Sequence, residues 1–247
     1  HPYLPYAWQI SGFDYLGGLE SFQNGEFSVQ DISSMLVGET ADPQENDYVI
    51  DVCAAPGGKS IHVAEKLVGS GHVEARDLTL YKVGMIEENI ERTGLLNIEA
   101  VCQDALVYDE ESREKADIVI ADLPCSGLGV LGKKTDLKYK ATKQGADDLA
   151  QMQREMLDVV CRYVKPGGKL LYSTCTVNPA ENEENVRWFL ETHPEFELAD
   201  LRECMKQWKP EVCEELVRAV SEAGWLQLLP GIHKSDGFFI AGLRKRK

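Results

Sequence analysis

The decapeptide Asp51-Val52-Cys53-Ala54-Ala55-Pro56-Gly57-Gly58-Lys59-Ser60 constrains this chain more than any other stretch. It completes a short apolar run over 48–52 and opens a segment whose apolar residues Ile61, Val63, Ala64 and Leu67 recur with a helical period. That pattern is strand, glycine turn, helix. A Pro-Gly-Gly turn at a strand's carboxyl end lets the backbone approach a ligand closely, and the helix behind it aims free N–H groups and a partial positive charge the same way. Two glycines alone fit an ordinary βα connection equally well, so the rest of the chain has to decide.

The alternation continues downstream. Strands are expected at 48–52, 72–76, 98–102, 116–121 and 169–174, and helices at 59–67, 80–93, 146–164 and 180–191. Lys165-Pro166-Gly167-Gly168 closes the long helix with a basic last turn followed by Pro and Gly. A late run over 237–243 reads as a strand pairing antiparallel at or near the sheet edge. The expected fold is α/β, Rossmann-like and doubly wound, with a mostly parallel sheet. Before it, 28–37 reads as a helix with Gln30 and Asp31 in its first turn. Residues 1–40 hold Tyr3, Tyr6, Trp8, Phe13, Tyr15, Phe22 and Phe27 without a Lys or Arg. They are expected to form an irregular lead-in that packs on or flanks a catalytic domain of 41–247, stacking on bases being the alternative use of the aromatics.

With 43% hydrophobic residues, 247 residues can bury one substantial core. The chain begins at His1 rather than Met, which reads as a piece of a longer or processed protein. No apolar run is long enough to span a membrane and no charged-then-apolar leader is present, so a soluble, cytoplasmic protein is expected, as a monomer. The seven cysteines form no C-x-x-C pair and no zinc-spaced cluster, so neither a metal nor a disulfide scaffold is indicated. Cys53, Cys102 and Cys161 lie in apolar patterns and read as core.

A net charge of −15 argues against a generic nucleic-acid coat. The excess is uneven, however: 178–222 holds 12 acidic against 5 basic residues. Lys133, Lys134, Lys138, Lys140 and Lys143, with Tyr139 among them, face only Asp136, and form the one basic run, a candidate RNA contact.

Two acids end the second and third strands. Asp77 is placed to accept hydrogen bonds from a ribose, as in dinucleotide folds, yet G-x-G-x-x-G is absent, which favours an adenosine cofactor without a pyrophosphate. Asp104 could face an adenine amino group. Either acid alone is more often a helix cap. Two thiols also stand out: Cys125 in Asp122-Leu123-Pro124-Cys125-Ser126-Gly127 after the fourth strand, and Cys175 in Ser173-Thr174-Cys175-Thr176 after the fifth. If the sheet order reverses beside the first strand, these strands lie about 4.8 Å apart and both thiols border the cofactor crevice.

At these residues the chain resembles RNA 5-methylcytosine methyltransferases of the Sun/Nop2 family, and within it the bacterial 16S ribosomal RNA methyltransferase B group. The matching marks are Phe27-Ser28-Val29-Gln30-Asp31, the run 53–59, Asp77, Asp104, the Asp122–Gly127 motif, Thr174-Cys175-Thr176 with Glu181-Asn182-Glu183, Leu229-Pro230-Gly231 and Asp236-Gly237-Phe238-Phe239. Together they cover nearly the whole chain. The resemblance implies S-adenosyl-L-methionine as cofactor, held by Cys53, Ala54, Ala55, Pro56, Gly57, Gly58, Lys59, Asp77, Asp104 and Asp122. It implies Cys175 as nucleophile and Cys125 as the group that assists release; the residues themselves leave that order open. Two departures bear on target choice: Leu123 replaces a common Ala, and Lys134-Thr135-Asp136-Leu137-Lys138-Tyr139 stands where the family usually shows Pro-Asp-Ile-Arg/Lys-Trp. The amino-terminal module resembling NusB that this group carries is not in the sequence.

The chemistry agrees with two thiols. Carbon 5 of cytosine is too weakly nucleophilic to take a methyl group from a sulfonium, so a thiolate must first add at carbon 6. After methylation the proton on carbon 5 must leave and the thiolate be expelled, which gives a second group work to do. Asp122 could hydrogen-bond the pyrimidine edge. A DNA cytosine-5 enzyme would use the Pro-Cys thiol alone, and the extra Thr-Cys-Thr motif argues against it. A non-catalytic RNA-binding assembly factor on the same fold would be expected to have lost a thiol or Asp122, and all three are present. Ribosomal RNA is the expected substrate, transfer RNA the alternative.

Overall fold

A computed structural model describes residues 1–205 and 210–247. The chain opens with a short helix α1 (Glu20–Gln23) and α2 (Ile32–Ala41), then runs β1 (Tyr48–Asp51), α3 (Gly58–Lys66), β2 (His72–Asp77), α4 (Leu80–Thr93), β3 (Ile98–Cys102) and β4 (Ala116–Asp122). After a short α5 (Leu137–Lys140) follow α6 (Lys143–Val160), β5 (Val164–Thr174), α7 (Glu183–Thr192), β6 (Phe196–Ala199), α8 (Leu201–Met205), α9 (Pro210–Ala219), β7 (Leu226–Leu228) and β8 (Phe238–Lys245). The strand order is β3-β2-β1-β4-β5-β8-β6, with β7 also paired to β8. The strands β1 to β5 are parallel, and β8 is antiparallel to β5. The order reverses beside β1, which brings β4 next to β1 and opens a crevice at the carboxyl ends of the strands.

Alternation along each strand explains the layers. Val49, Ile118, Ile120, Leu171 and Ile240 face a core built with α2, α3 and α4, to which Leu201, Met205 and Leu216 add. Ile50, Val119, Ala121, Leu170, Tyr172, Phe239 and Ala241 face the opposite core, built with α6 and α7. A sheet covered on both faces needs nearly continuous apolar strands, and β1, β4, β5 and β8 have them. Among the described residues no helix is long and apolar enough to cross a membrane.

Several elements depart from the sequence-based expectation. The helix expected at 28–37 begins at Ile32, because Asp31 is its N-cap, its carboxylate accepting the Ser33 N–H at 2.9 Å. It continues to Ala41, so one helix crosses residue 40. The long helix ends at Val160, not 164. A 3₁₀ turn over Cys161–Tyr163, with Val160, Cys161, Tyr163 and Val164 all buried, leads directly into β5. Pro166, Gly167 and Gly168 are then absorbed inside β5, where pairing jumps from Ala116–Val164 to Ile118–Lys169 and Gly167 takes φ +84°. The helix expected at 180–191 starts at Glu183, behind a 3₁₀ turn over Pro179–Glu181.

The last strand pairs antiparallel with β5 near the sheet edge, as expected, and the short strands β6 and β7 cover its outer side. Cys102 is exposed, not core, because β3 is an edge strand whose last residue faces solvent. The lead-in divides: Tyr3 and Leu4 are buried in the α2 core and Arg92 lies over Phe22, whereas Trp8 and Tyr15 are exposed.

Phe239 is fully buried on β8, with its ring centroid 6.1 Å from that of Tyr172 and 6.3 Å from that of Trp225. Phe239→Ala is expected to cost about 3–5 kcal/mol of unfolding free energy by urea titration. Leu96→Ala, at a residue 98% exposed, is expected to stay within about 0.5 kcal/mol.

Candidate active site

The loop after β1 is held from three sides. The Ala54 N–H reaches the Arg76 carbonyl at 2.9 Å, the Ala55 N–H reaches Asp77 at 3.0 Å, and the Asn89 amide reaches the Pro56 carbonyl at 3.1 Å. Gly57 adopts φ +106°, a left-handed turn that favours glycine, and α3 starts at Gly58 with no side chain capping it. The uncapped amino terminus and the close backbone form the cradle expected from the sequence. Asp77 is buried, its carboxylate also taking the Leu78 N–H at 2.7 Å and the Lys82 ammonium at 2.9 Å. Asp104 is half-buried and accepts the Leu106 N–H at 2.9 Å in a local turn. Because Asp77 pairs with Cys102 across β2 and β3, both acids sit at the same end of the sheet as the loop. Burial pushes the Cys53 thiol well above the ordinary range.

Beneath the cradle Asp51 is fully buried and accepts the Ser60 hydroxyl at 2.6 Å. Burial raises its carboxyl from 3.8 to about 6. Across the switch point, the Lys59 ammonium meets Asp122 at 2.7 Å and Ser34 at 3.2 Å, and lies 5.6 Å from the Phe238 ring centroid. Burial opposes the charge on Lys59, but Asp122 and Asp51 hold its value above the ordinary lysine range. Lys59 thus leaves the loop proper and points to β4. The other oxygen of Asp122 accepts the Ser173 hydroxyl at 2.7 Å.

Asp122 and Ser173 are partners in the β4–β5 ladder, so the segments leaving these strands start side by side. The Cys125 and Cys175 sulfurs lie 3.2 Å apart. They are not equivalent. The hydrogen bond from Cys125 lowers Cys175 below the usual thiol value against the effect of burial, with the positive charges of Lys59 and Lys134 adding to it and Asp122 opposing. The same hydrogen bond, with burial, pushes Cys125 far upward. Of the two sulfurs, the thiolate is thus favoured at Cys175.

Both thiol segments are braced from behind. Glu181 is fully buried and accepts from the Ser126 N–H at 2.8 Å, the Ser126 hydroxyl at 2.5 Å, Asn178 at 2.9 Å and Gln153 at 3.1 Å. Asn182 takes the Thr174 hydroxyl at 2.6 Å and donates to the Thr176 carbonyl at 3.1 Å. On the other side, the Gly129 N–H donates to the Cys175 carbonyl at 3.0 Å while its carbonyl takes the Gly237 N–H at 2.9 Å. A Cβ on Gly129 would lie 2.0 Å from the Gly237 oxygen, so only glycine fits that crossing. Gln153 accepts in turn from the Asn185 amide at 2.9 Å, and the sequence motifs point to neither residue. Their signal was a polar residue at a core-facing position, Gln153 among Ala150, Met156, Leu157 and Val160, and Asn185 beside Val186 and Phe189.

The basic run does not act as one patch. Lys133, expected to face RNA, is bound to Asp31 at 2.6 Å and Asp236 at 2.8 Å, clamping the segments before α2 and β8 to the loop between the thiol strands. Against burial, Lys133 and Ser33 hold Asp31 at about 2. Lys134 and Lys138 are exposed, and Tyr139 is 81% exposed with the Lys138 ammonium 4.8 Å from its ring centroid. The Lys140 side chain lies outside the described residues.

A seven-stranded path of this order with an antiparallel β8, a glycine cradle after β1 and acids at the next strand ends is the fold of S-adenosylmethionine-dependent methyltransferases. The family model described as 16S rRNA methyltransferase RsmB/F matches residues 39–244, and the chain belongs to that family. It is 42% identical over 232 residues to the probable ribosomal RNA small subunit methyltransferase B of Bacillus subtilis (strain 168), covering 94% of this chain and 50% of that protein. The crystal structure of PH0851 superposes with a TM-score of 0.85 at 33% identity, covering 95% of this chain and 50% of that one. NSun6 from Pyrococcus horikoshii, solved with SFG, superposes with a TM-score of 0.77 at 31% identity, covering 95% and 57%. The chain spans about half the length of the curated relatives it matches.

The buried Asp51 sets a pH test. A carboxyl that holds its proton more tightly when folded stabilises the fold below its unfolded value, and that contribution is lost as pH rises from about 4 to about 6. Relative to Asp51→Asn, the parent protein is therefore expected to lose stability on the order of 3 kcal/mol between pH 3.5 and 7 in paired urea titrations. Parallel pH curves for the two proteins would exclude a raised Asp51.

Proposed function

We propose that this chain methylates carbon 5 of a cytosine in RNA, ribosomal RNA by the affinity of its family, through a covalent adduct between Cys175 and carbon 6. The observation that carries the reading is the 3.2 Å thiol pair, with the Lys59–Asp122 ion pair acting on it. S-adenosyl-L-methionine, when bound, supplies a methyl group made electrophilic by its sulfonium. The residues present fit it: α3 begins at Gly58 with no side-chain cap on the backbone N–H groups of its first turn, and Asp77 and Asp104 supply acceptors at the next strand ends. In Asp77 a ribose hydroxyl would take over the place the exposed Lys82 ammonium now fills.

The steps assigned to the chain's own groups follow. Cys175 enters as thiolate and its sulfur bonds carbon 6, pushing the pyrimidine π electrons toward carbon 5 and the ring edge. Asp122, with its ammonium partner Lys59, meets that edge and stabilises the charge that builds there. Once carbon 5 is methylated, its proton is lost to a base, the double bond re-forms, and the sulfur–carbon 6 bond breaks. Cys125 keeps its proton beside the departing sulfur and offers it a hydrogen bond. Lys134, Lys138 and Tyr139 line the exposed segment between the two thiol strands and face the RNA, Lys133 being committed to Asp31 and Asp236.

The two thiols have unequal consequences when removed. Cys175→Ala is expected to give neither methylation nor a covalent complex. Cys125→Ala is expected to add and methylate but to stay bound, giving a ribonuclease-sensitive band of slow mobility in denaturing electrophoresis after incubation with cofactor and RNA. A band from Cys175→Ala and none from Cys125→Ala would reverse the roles. Cofactor binding is expected without RNA, and Asp77→Ala to weaken it at least tenfold in calorimetric titration with S-adenosyl-L-methionine. Unchanged affinity would remove Asp77 from the ribose role.

A further inference from the structure

Glu181 belongs to a motif to which neither the cofactor nor the pyrimidine chemistry gives work. It lies in the 3₁₀ turn before α7, fully buried, and among the described residues its carboxylate meets no lysine or arginine within ion-pair distance. A carboxylate so placed needs several donors to offset its lost hydration. Its donors come from three elements: Ser126 with both backbone and hydroxyl, Asn178 in its own turn, and Gln153 on α6. The Ser126 hydroxyl is also 2.8 Å from the Thr176 hydroxyl. Ser126 directly follows Cys125, and Thr176 directly follows Cys175. The carboxylate therefore joins the residue after each thiol through one serine. Gln153 adds a bond to the Pro124 carbonyl at 2.8 Å, so the residues before and after Cys125 are both tied to the same network.

We propose that Glu181 is a positioning residue: acting through Ser126, it holds the Cys125 thiol within hydrogen-bond reach of Cys175 and so governs the reactivity of the Cys175 sulfur. The groups that bear on Cys175 are Asp122 at the end of β4, Cys125 beyond it, Lys59 on α3 and Lys134 in the connecting segment. Three of these four are fixed by other contacts or by charge at a distance. Only Cys125 depends on the short Pro124–Ser126 segment, and that segment is anchored by Glu181 and Gln153. Glu181→Gln keeps size but turns one acceptor into an N–H₂ donor facing the Ser126 donors, which releases the segment.

The inference rests on reading Cys175 and Cys125 as the reacting pair, but its test needs neither RNA nor cofactor, so it fails separately from that reading. The experiment is alkylation of the whole protein by iodoacetamide across pH 5.5–9, with the Cys175 peptide followed by mass spectrometry. In the parent the rate is expected to rise at a pH below that of an ordinary thiol. Glu181→Gln is expected to move that inflection upward, slowing alkylation at neutral pH by about tenfold for each pH unit of displacement. Cys125→Ala is expected to move it likewise, and Glu181→Gln to add nothing further in the Cys125→Ala background. A merely structural role would lower the urea midpoint without moving the inflection, and that result overturns the proposal. So does an equal extra displacement in the double variant. Should Glu181→Gln not fold, Ser126→Ala decides: it removes the hydroxyl bonds to Glu181 and Thr176, and an unmoved inflection there counts against the proposal as fully.

Discussion

The contact on which the rest of the site depends is the ion pair of Lys59 and Asp122. It joins the loop after β1 to the segment after β4 at the point where the sheet order reverses. Such a pair is costly to bury unless its remaining hydrogen-bonding capacity is met. Here it is: Ser173 completes Asp122, Ser34 takes a hydrogen of Lys59, and the Phe238 ring face lies against the ammonium. These partners come from β5, α2 and β8, so one interaction registers every element around the crevice. Its position also divides the labour. The cradle lies on the Lys59 side and the thiols on the Asp122 side, and a positive charge reaches the Cys175 sulfur without a lysine beside it.

Much of this architecture could be read in the sequence because its parts are local. The parallel strands are apolar runs bounded by glycine or acid, and the cradle, both thiols and the strand-end acids follow from their position in those runs. What escaped was set by partners far along the chain. Strands β6 and β7 are too short to show a period, and they exist because β8 offers them an edge. Counting charge placed Lys133 in a basic patch, since its two carboxylate partners lie about a hundred residues away on either side. The end of α6 was misplaced because Pro-Gly-Gly is as good a bulge in a strand as a stop for a helix. Glu181 was visible only as part of a motif, for nothing local distinguishes a buried acid from its solvated neighbours Glu183 and Glu184.

The acidic excess of the chain takes on a different meaning in this light. Net charge governs long-range approach, while the ionisation of a buried group follows its near neighbours. Among the residues around the thiols, Asp122 is paired with Lys59, and Lys133 is shared between Asp31 and Asp236, so that with the exposed Lys134 on the connecting segment the acids and bases balance. Most of the remaining acids of 178–222 lie on α7 and in the segments after it, beyond Glu181. A strongly acidic protein can in this way present a mouth free of the acidic excess carried elsewhere on its surface.

Two constraints then act on the thiols from opposite sides. The Gly129–Gly237 crossing presses on the Cys175 backbone, tight enough that a methyl group has no room, while the Glu181 network ties Ser126 and, through it, Thr176. Neither device touches the sulfurs. Between them they fix the two backbones and leave the side chains facing one another. A hydrogen bond between thiols is weak and falls off steeply with distance and angle. The asymmetry between Cys175 and Cys125 can therefore persist only if both chains are held rigidly, and that is the reason so much buried polar structure surrounds two small side chains.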